Sequence, residues 1–411
     1  MLHLFQAFGV ELEYMIVDRD TLKIKPVTDE LLKHELGQYG SDVEKGIVSW
    51  SNELVLHVVE LKSTRTESDL PTLMKQFAEN VKYINTILKK WNAMLMPTAA
   101  HPFMNPSTET KLWPHDSNEV YAVYNKIFDC RGHGWSNLQS THLNLPFSGD
   151  EEFAKLHAAI RLVLPILPAL CASSPILESK RTGVLDTRLT YYKVNQIRIP
   201  SITGQIIPEP VFSEIDYENT IYKKIRSDIA PFDPEEILDP IWVNSRGAMA
   251  RFDRGSIEIR VMDIQECPAA DIAIVTLVIE TIKALVAERF IDYKTQTTWT
   301  TESLVAMLDQ TASKAQDAQL NNSDYLRAFN FPSSSATAGA LWKHIVDDLL
   351  HNGNAAIKEC KSVLDVILTN GTLSQRIINA LGSNLSNENM VKIYKQLSDC
   401  LEENKLFLSK S

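Results

Sequence analysis

The sequence lacks the features of disulfide-stapled, zinc-binding and membrane-spanning proteins. Its 411 residues include five cysteines, an odd and widely spaced set without a CxxC pair. This pattern favours reduced thiols over a disulfide framework or a zinc site. Runs of about eighteen uncharged apolar residues, the length needed to span a membrane, are absent as well. The first residues lack the cationic segment of a signal peptide, so the sequence predicts a soluble, cytoplasmic protein.

Positive charge is also in short supply. The chain carries 41 lysines and arginines against 52 aspartates and glutamates, which gives a formal net charge of −11. Nucleic acids and anionic membranes both need a basic surface, so neither is expected as a partner. The sequence also lacks a GxxxxGK[ST] phosphate loop and a GxGxxG motif. Any phosphate ligand must therefore be held by other groups.

The pattern of predicted secondary structure divides the chain into three zones. Short strands and one long helix are predicted as far as residue 150, and a helix, a long proline-rich loop, a strand and a helix as far as residue 290. The residues from 291 onwards show mainly helical spacing. Because strands and helices segregate, we expect an α+β fold with an antiparallel sheet. The predicted domains are a catalytic sheet domain over 1–290 and a helical region over 291–411 packed on it.

Four of the predicted strands carry polar residues on one face only. Side chains at positions i and i+2 of a strand point to the same side of the sheet. The pairs that share a face in this way are Glu11 and Glu13, Glu60 and Lys62, His142 and Asn144, and Glu258 and Arg260. Glu53 lies beside a predicted turn. The opposite face of each strand is apolar, as expected for a sheet that packs on one side.

These polar faces have two interpretations. A sheet with one solvated side needs no further explanation, but such faces are usually rich in Lys, Thr and Ser. Five glutamates gathered on one sheet would repel one another strongly without compensating charge. Hard divalent cations provide that charge, and carboxylate oxygens with an occasional imidazole suit Mg²⁺ or Mn²⁺. The sequence therefore predicts a metal site on the sheet.

Several of these segments carry a resemblance to a known family. The opening residues 8–13 (FGVELE), the segment 100–103 (AHPF), residues 141–143 (THL) and the strand 256–263 (SIEIRVMD) occur in the family's order. They resemble glutamate–cysteine ligase family 2 and related carboxylate–amine ligases over residues 8–290. The resemblance implies a glutamine-synthetase-like fold, in which a curved antiparallel sheet flanked by helices forms a funnel for ATP and divalent metals.

The resemblance also implies roles for individual residues. The implied metal ligands are Glu11, Glu13, Glu53, Glu60, His142 and Glu258. Arg260 would sit at the phosphoryl group in transfer, where a guanidinium clamps oxygens in a bidentate manner.

Other residues are candidates from their positions alone. Arg251 is a second candidate catalytic residue, Arg188 and Tyr192 are candidates for substrate binding, and Lys62 and Asn144 for nucleotide binding. An ion-pair role of Lys62 with Glu60 stays open as an alternative. Arg246 and Arg254 are expected to be solvated loop arginines.

The predicted function is that of an ATP-dependent carboxylate–amine ligase that forms an amide through an acyl phosphate, with Mg²⁺ or Mn²⁺. The expected partners are a small amino acid and an amine; with glutamate and cysteine the reaction belongs to glutathione biosynthesis. A homodimer is compatible with the sequence. Two alternatives stay open: a guanidino-type phosphotransferase of related fold, and a catalytically silent metal- or nucleotide-binding protein.

Overall fold

The computed structural model describes residues 2–408. Its main feature is an eight-stranded antiparallel sheet in the order β2-β3-β4-β1-β6-β10-β9, with β5 pairing onto the far end of β1. The strands in chain order are β1 (Gly9–Asp18), β2 (Asp42–Lys45), β3 (Val48–Asn52), β4 (Val58–Ser63), β5 (Ala93–Met96), β6 (Ser140–Pro146), β7 (Ile176–Leu177), β8 (Lys180–Arg181), β9 (Ala248–Arg251), β10 (Ser256–Asp263), β11 (Gln319–Leu320) and β12 (Ala336–Thr337). The last two and β7 with β8 form separate two-stranded ribbons.

Helices surround the sheet and make up most of the rest of the chain. They are α1 (Thr28–Leu36), α2 (Leu70–Leu88), α3 (Pro106–Glu109), α4 (Asn118–Phe128), α5 (His133–Ser136), α6 (Gly149–Val163), α7 (Pro168–Cys171), α8 (Thr187–Tyr192), α9 (Glu214–Tyr217), α10 (Lys223–Ile229), α11 (Pro240–Val243), α12 (Pro268–Val286), α13 (Tyr293–Gln296), α14 (Thr301–Lys314), α15 (Ser323–Arg327), α16 (Ala338–His351), α17 (Ala355–Asn370), α18 (Leu373–Leu381) and α19 (Asn387–Glu403). None of the helices within residues 2–408 is long and apolar enough to cross a membrane.

The central strand β1 explains why the sheet has two different faces. Val10, Leu12 and Tyr14 are fully buried, because alternate side chains point to the helix-covered side. The helices α2 and α12 pack on one another, and their apolar residues join the same core. The helix-covered face therefore anchors the sheet and leaves the opposite face to the polar side chains of β1, β4, β6 and β10.

The predicted antiparallel sheet and its flanking helices are confirmed, whereas several details differ. The predicted strand at 55–61 begins three residues later, as β4. The hairpin of β2 and β3 was missed by the sequence analysis. The proline-rich stretch is not one long loop, because it includes α8, α11 and the segment from α9 to α10, which a π-helical turn joins into a continuous helix.

Helices from the C-terminal part of the chain pack directly on the sheet domain. α17 lies against α12, and α19 lies against α2 and β5. A buried ion pair between Arg376 of α18 and Glu266, just before α12, joins the same parts. Arg376 also donates a hydrogen bond of 2.7 Å to the carbonyl of Phe407. The division into domains 1–290 and 291–411 stays a prediction.

Candidate active site

Three side chains on neighbouring strands form the centre of a polar cluster. Strand pairing places Glu11 opposite His142, and Glu258 opposite Asn144, so β1, β6 and β10 bring their polar residues to one place. Glu11, His142 and Glu258 each offer one ligand atom, and these three atoms lie within 4.8 Å of one another. Two carboxylates and an imidazole at this spacing form a donor set for a divalent cation.

His142 lies between the carboxylates of this cluster. Its Nδ1 atom is 2.8 Å from Oε2 of Glu11 and 3.9 Å from Oε1 of Glu258. Its Nε2 atom is 2.9 Å from Oγ of Ser140 and 3.7 Å from Oε1 of Glu13. Because burial disfavours its charged form, the pKa of His142 is lowered despite these acidic neighbours. The imidazole therefore contributes little positive charge near neutral pH.

The acidic cluster extends along β1 and β4 beyond these three residues. Glu13 faces Glu60 across the strand pair, and its Oε2 atom accepts hydrogen bonds from the backbone and the hydroxyl of Ser140. Glu60 accepts a hydrogen bond of 2.5 Å from Ser51. Glu53 follows β3, close enough for the charges of Glu13 and Glu60 to affect its pKa. Four of the predicted glutamates therefore lie on one face of the sheet, and Glu53 lies near them in the segment after β3.

Burial and neighbouring charges shift the pKa values of several of these glutamates. Burial, together with the charge of Glu258, raises the pKa of Glu11 to about 7. Burial and neighbouring carboxylates also raise the pKa of Glu53 and Glu60. Burial alone would raise the pKa of Glu258 too, but the charge of Arg260 holds it below its ordinary value. The cluster holds more carboxylates than its cations can balance, so it fits a divalent ion.

Two cationic side chains border the cluster on opposite sides. Arg260 places its Nε atom 3.2 Å from Glu258, and its neighbours Tyr192 and Glu258 keep its pKa above the ordinary value in spite of burial. Lys62 lies 3.2 Å from Glu60 and 3.1 Å from Asp42. This geometry matches the ion-pair interpretation of Lys62, and its role in nucleotide binding stays a prediction.

The other predicted residues lie at different distances from the centre. Asn144 donates a hydrogen bond of 3.1 Å to Glu11, so it orients a carboxylate of the cluster. Arg251 lies on the edge strand β9, where it pairs with Asp253 at 3.1 Å and influences the pKa of Glu258. Its catalytic role stays a prediction.

Arg188 and Tyr192 lie in the short helix α8 and are buried, whereas the sequence placed them in a long loop. Arg188 is only 2% exposed, and its guanidinium contacts Asp263 and the carbonyl of Arg260 rather than open space. Tyr192 lies near enough to influence the pKa of Arg260, and its hydroxyl has no hydrogen-bond partner within the described part of the chain. The roles of both residues in substrate binding stay predictions.

Arg246 is buried, so the expectation that it is a solvated loop arginine is wrong. Its guanidinium forms hydrogen bonds of 2.5 and 2.6 Å to both carboxylate oxygens of Glu209 and a further one of 3.1 Å to Asn244. Arg254, in contrast, has a side chain that is 70% exposed, as expected. The sequence could not reveal the difference, since Glu209 lies 37 residues away from its partner.

Two tyrosines of α4, Tyr121 and Tyr124, border the acidic cluster. The sequence alone did not predict them as site residues. The charges of Glu53 and Glu60 act on Tyr121, whose hydroxyl accepts a hydrogen bond of 3.3 Å from Asn52. Tyr124 lies near Arg260 and Tyr192. The two tyrosines are three residues apart, so they lie on the same face of α4. That spacing could be read from the sequence, but the packing of α4 beside the sheet could not.

A family model described as Glutamate-cysteine ligase family 2 matches residues 7–385 of the chain. An uncharacterized protein of Archaeoglobus fulgidus is 30% identical over 403 residues, which cover 97% of this chain and 100% of that protein. A protein of Bradyrhizobium sp. (strain ORS 278), named "Putative glutamate--cysteine ligase 2", is 26% identical over 65% of this chain. The match spans 59% of that relative's length.

Two solved structures share the fold at low sequence identity. A glutamate–cysteine ligase from Francisella tularensis, in complex with AMP, has a TM-score of 0.58 at 13% identity, covering 96% of this chain and 88% of that one. A bifunctional glutathione synthetase from Pasteurella multocida has a TM-score of 0.62 at 14% identity, covering 97% of this chain and 53% of that one. These likenesses confirm the predicted fold class. Together with the match over residues 7–385, they lead to one conclusion: the chain belongs to glutamate–cysteine ligase family 2, a family of ligases.

Proposed function

We propose that the protein is an ATP-dependent carboxylate–amine ligase that acts at the acidic cluster on β1, β4, β6 and β10. The observation that carries the proposal is the meeting of Glu11, His142 and Glu258 beside Arg260. Family membership supports the reaction class, and the AMP bound to the Francisella enzyme supports an adenine nucleotide as the phosphoryl donor.

The donor set supports a divalent cation as part of this proposal. Glu11, His142 and Glu258 would hold one ion, and Glu13, Glu53 and Glu60 offer oxygen donors for another. Oxygen-rich sites of this kind suit Mg²⁺ or Mn²⁺. When bound, such ions neutralise phosphate charge and orient the phosphates for in-line transfer.

The proposed first step transfers a phosphoryl group to the acid substrate. A carboxylate oxygen attacks the γ-phosphorus of ATP, a new P–O bond forms, and the bond to the bridging oxygen breaks as ADP leaves with its electron pair. Arg260 stays protonated because its pKa is raised, so it can stabilise the charge on the transferring oxygens. Losing such a donor costs about 3–4 kcal/mol in the barrier.

The proposed second step forms the amide. The amine nitrogen attacks the acyl carbon, the C–N bond forms, and the C–O bond to phosphate breaks as inorganic phosphate leaves. The nitrogen loses a proton, which the departing phosphate takes up, so that hydrogen phosphate and the amide are the products. The names of the curated relatives support glutamate as the acid and cysteine as the amine. The tyrosines that border the cluster, Tyr121, Tyr124 and Tyr192, are candidates for contacts to these substrates.

A substrate screen tests the proposal directly. The purified chain is incubated with Mg²⁺ and ATP, and amino acids and amines are supplied singly and in pairs. We expect phosphate release that depends on both substrates, together with an amide detected by mass spectrometry. ADP formation at the same rate with and without the acid and the amine would contradict the proposal. A phosphorylated guanidine without any amide would favour a phosphotransferase, and nucleotide binding without turnover would favour a silent binding protein.

A further inference from the structure

Strand β10 contains an irregularity at Arg260, in the middle of the cluster. Its pairing with β6 runs from Ile259 opposite Leu143 to Met262 opposite Thr141. Between these pairs β10 has one residue more than β6, which is the signature of a β-bulge. A bulge turns backbone groups out of the ladder and re-aims the side chain that it carries. Arg260 therefore depends on groups outside the β6 ladder for its orientation.

Two backbone groups of Arg260 are held from different sides. Its amide donates a hydrogen bond of 3.0 Å to the carbonyl of Gly247. Its carbonyl accepts a hydrogen bond of 2.8 Å from the guanidinium of Arg188. A Cβ atom at Gly247 would lie 2.7 Å from a methyl group of Val261, so the backbone on this side approaches the bulge as closely as a glycine permits.

Arg188 is itself fixed by contacts within the fold. Its guanidinium lies 3.5 Å from Asp263, and the two side chains are 2% and 0% exposed. The second oxygen of Asp263 accepts hydrogen bonds from the backbone of Ser173 and the hydroxyl of Ser174, at 2.8 and 2.9 Å. Because both side chains are buried and Asp263 is itself held by two hydrogen bonds, the guanidinium of Arg188 is confined beside the bulge.

We propose that Arg188 is a positioning residue that fixes the bulge of β10, and with it the guanidinium of Arg260, for phosphoryl transfer. The inference rests on the proposed function and refines it. In this role Arg188 acts through the carbonyl of Arg260, and its own side chain is buried in the fold. A hydrogen bond from a charged donor is among the stronger ones in proteins, so its loss frees the backbone of Arg260.

The test combines two conservative variants in a double-mutant cycle. We expect Arg188→Lys to lower kcat by about 10- to 100-fold, with the KM for ATP and for the acid changed less than about threefold. We expect Arg260→Lys to lower kcat as well. In the Arg260→Lys background, Arg188→Lys should have little further effect, because residues that act through one another are not additive. Additive effects would overturn the proposal, as would a large rise in the KM for the acid at unchanged kcat.

Arg376→Lys is the matched control. Arg376 is also buried, pairs with a buried carboxylate and donates to a backbone carbonyl, but it lies outside the acidic cluster. Its substitution should affect stability and leave kcat within about twofold in the fraction that stays folded. A loss of kcat as large as that of Arg188→Lys would show a general effect of buried arginines and overturn the proposal.

Hydrogen exchange separates this inference from the proposed function. Arg188→Lys should raise the exchange rate of amides in the peptide 259–263 by about tenfold, and Arg376→Lys should leave them unchanged. If the wild-type protein catalyses no ligation, the proposed function fails while the exchange result still tests the contact. Unchanged exchange in a folded Arg188→Lys variant would overturn the positioning role.

Discussion

At the scale of single residues, the most informative feature is the energetic cost of the acidic cluster. Five carboxylates lie on or beside one sheet face with Arg260 and Lys62 as their main cations, and burial together with the charge of Glu258 raises the pKa of Glu11 to about 7. Residues arranged for a ligand often lower the stability of the unliganded fold. Glu11 should therefore be destabilising when no divalent cation is bound.

Glu11→Gln tests whether the carboxylate of Glu11 destabilises the unliganded fold, because its effect on the Tm should depend on pH. Since the folded-state pKa of Glu11 is raised, the folded chain binds more protons than the unfolded chain between about pH 4.5 and 7. Glu11 therefore lowers stability as the pH rises through that window. In a chelator at pH 8, we expect Glu11→Gln to raise the Tm by about 1–3 °C, whereas at pH 4.5 the two proteins should differ little.

The same substitution should weaken the binding of nucleotide in the presence of Mg²⁺. Removing one of three donors at the centre of the cluster should lower the affinity by about tenfold or more, as measured by titration calorimetry. Glu151→Gln, a change on an 84% exposed side chain, is the control for both measurements. Unchanged nucleotide affinity in Glu11→Gln would favour an ordinary solvated sheet face.

At the scale of elements, the edge strand β9 shows how the sheet ends without an open ladder. The amide of Ala250 donates a hydrogen bond of 3.1 Å to the hydroxyl of Tyr217, and its carbonyl accepts one from Tyr222. Tyr217 ends α9, and Tyr222 ends the π-helical turn that joins α9 to α10. Side chains thus replace the missing neighbouring strand, which protects an edge that could otherwise pair with another chain.

Tyr217→Phe should show how much the hydroxyl of Tyr217 contributes to the free energy of unfolding. The hydroxyl of Tyr217 also accepts a hydrogen bond from Asn244, so its removal leaves two buried donors without a partner. We expect the free energy of unfolding to fall by about 1–3 kcal/mol in urea denaturation. Tyr191→Phe, on a side chain that is 37% exposed, should change it by less than about 0.5 kcal/mol.

The strands themselves were accessible to sequence reasoning because their two faces differ so sharply. Alternation placed Glu11, Glu13, Glu60, His142 and Glu258 on polar faces, and the structure brings those faces together. The register was not accessible, because it depends on which strands become neighbours. The hairpin of β2 and β3 did have a signal in Gly46, whose φ of +79° suits a tight turn.

The burial of individual arginines could not be predicted from the sequence. Arg188 and Arg246 look alike in the sequence as arginines of loop-rich segments, and both are buried. Their partners, Asp263 and Glu209, lie 75 and 37 residues away. Whether a long cationic side chain reaches solvent or a buried acid depends on tertiary contacts, which no local pattern records.

At the scale of the whole molecule, the C-terminal helices are joined to the sheet domain by more than surface contact. The ion pair of Arg376 and Glu266 is buried, with exposures of 1% and 0% for the two side chains. Removing one partner of such a pair leaves an uncompensated charge in the interior and costs about 3–5 kcal/mol. This contact should therefore link the stability of the two predicted domains.

We expect urea unfolding to follow one transition whether it is monitored by tryptophan fluorescence or by circular dichroism. Arg376→Met should shift that single midpoint to lower urea, and Arg376→Met combined with Glu266→Leu should recover part of the loss. Two separate transitions in the wild-type protein would instead indicate that 1–290 and 291–411 unfold independently.

The strand order has a consequence for the synthesis of the chain. β6 lies between β1 and β10, and β10 ends at Asp263 while β6 ends at Pro146. On the ribosome, β6 can pair with β1 long before its second neighbour exists. At roughly 5–20 residues per second, its free edge waits on the order of 10 s for β10. The nascent chain thus carries an open strand edge for that time, at the place where His142, a candidate metal ligand, will later lie beside Glu258.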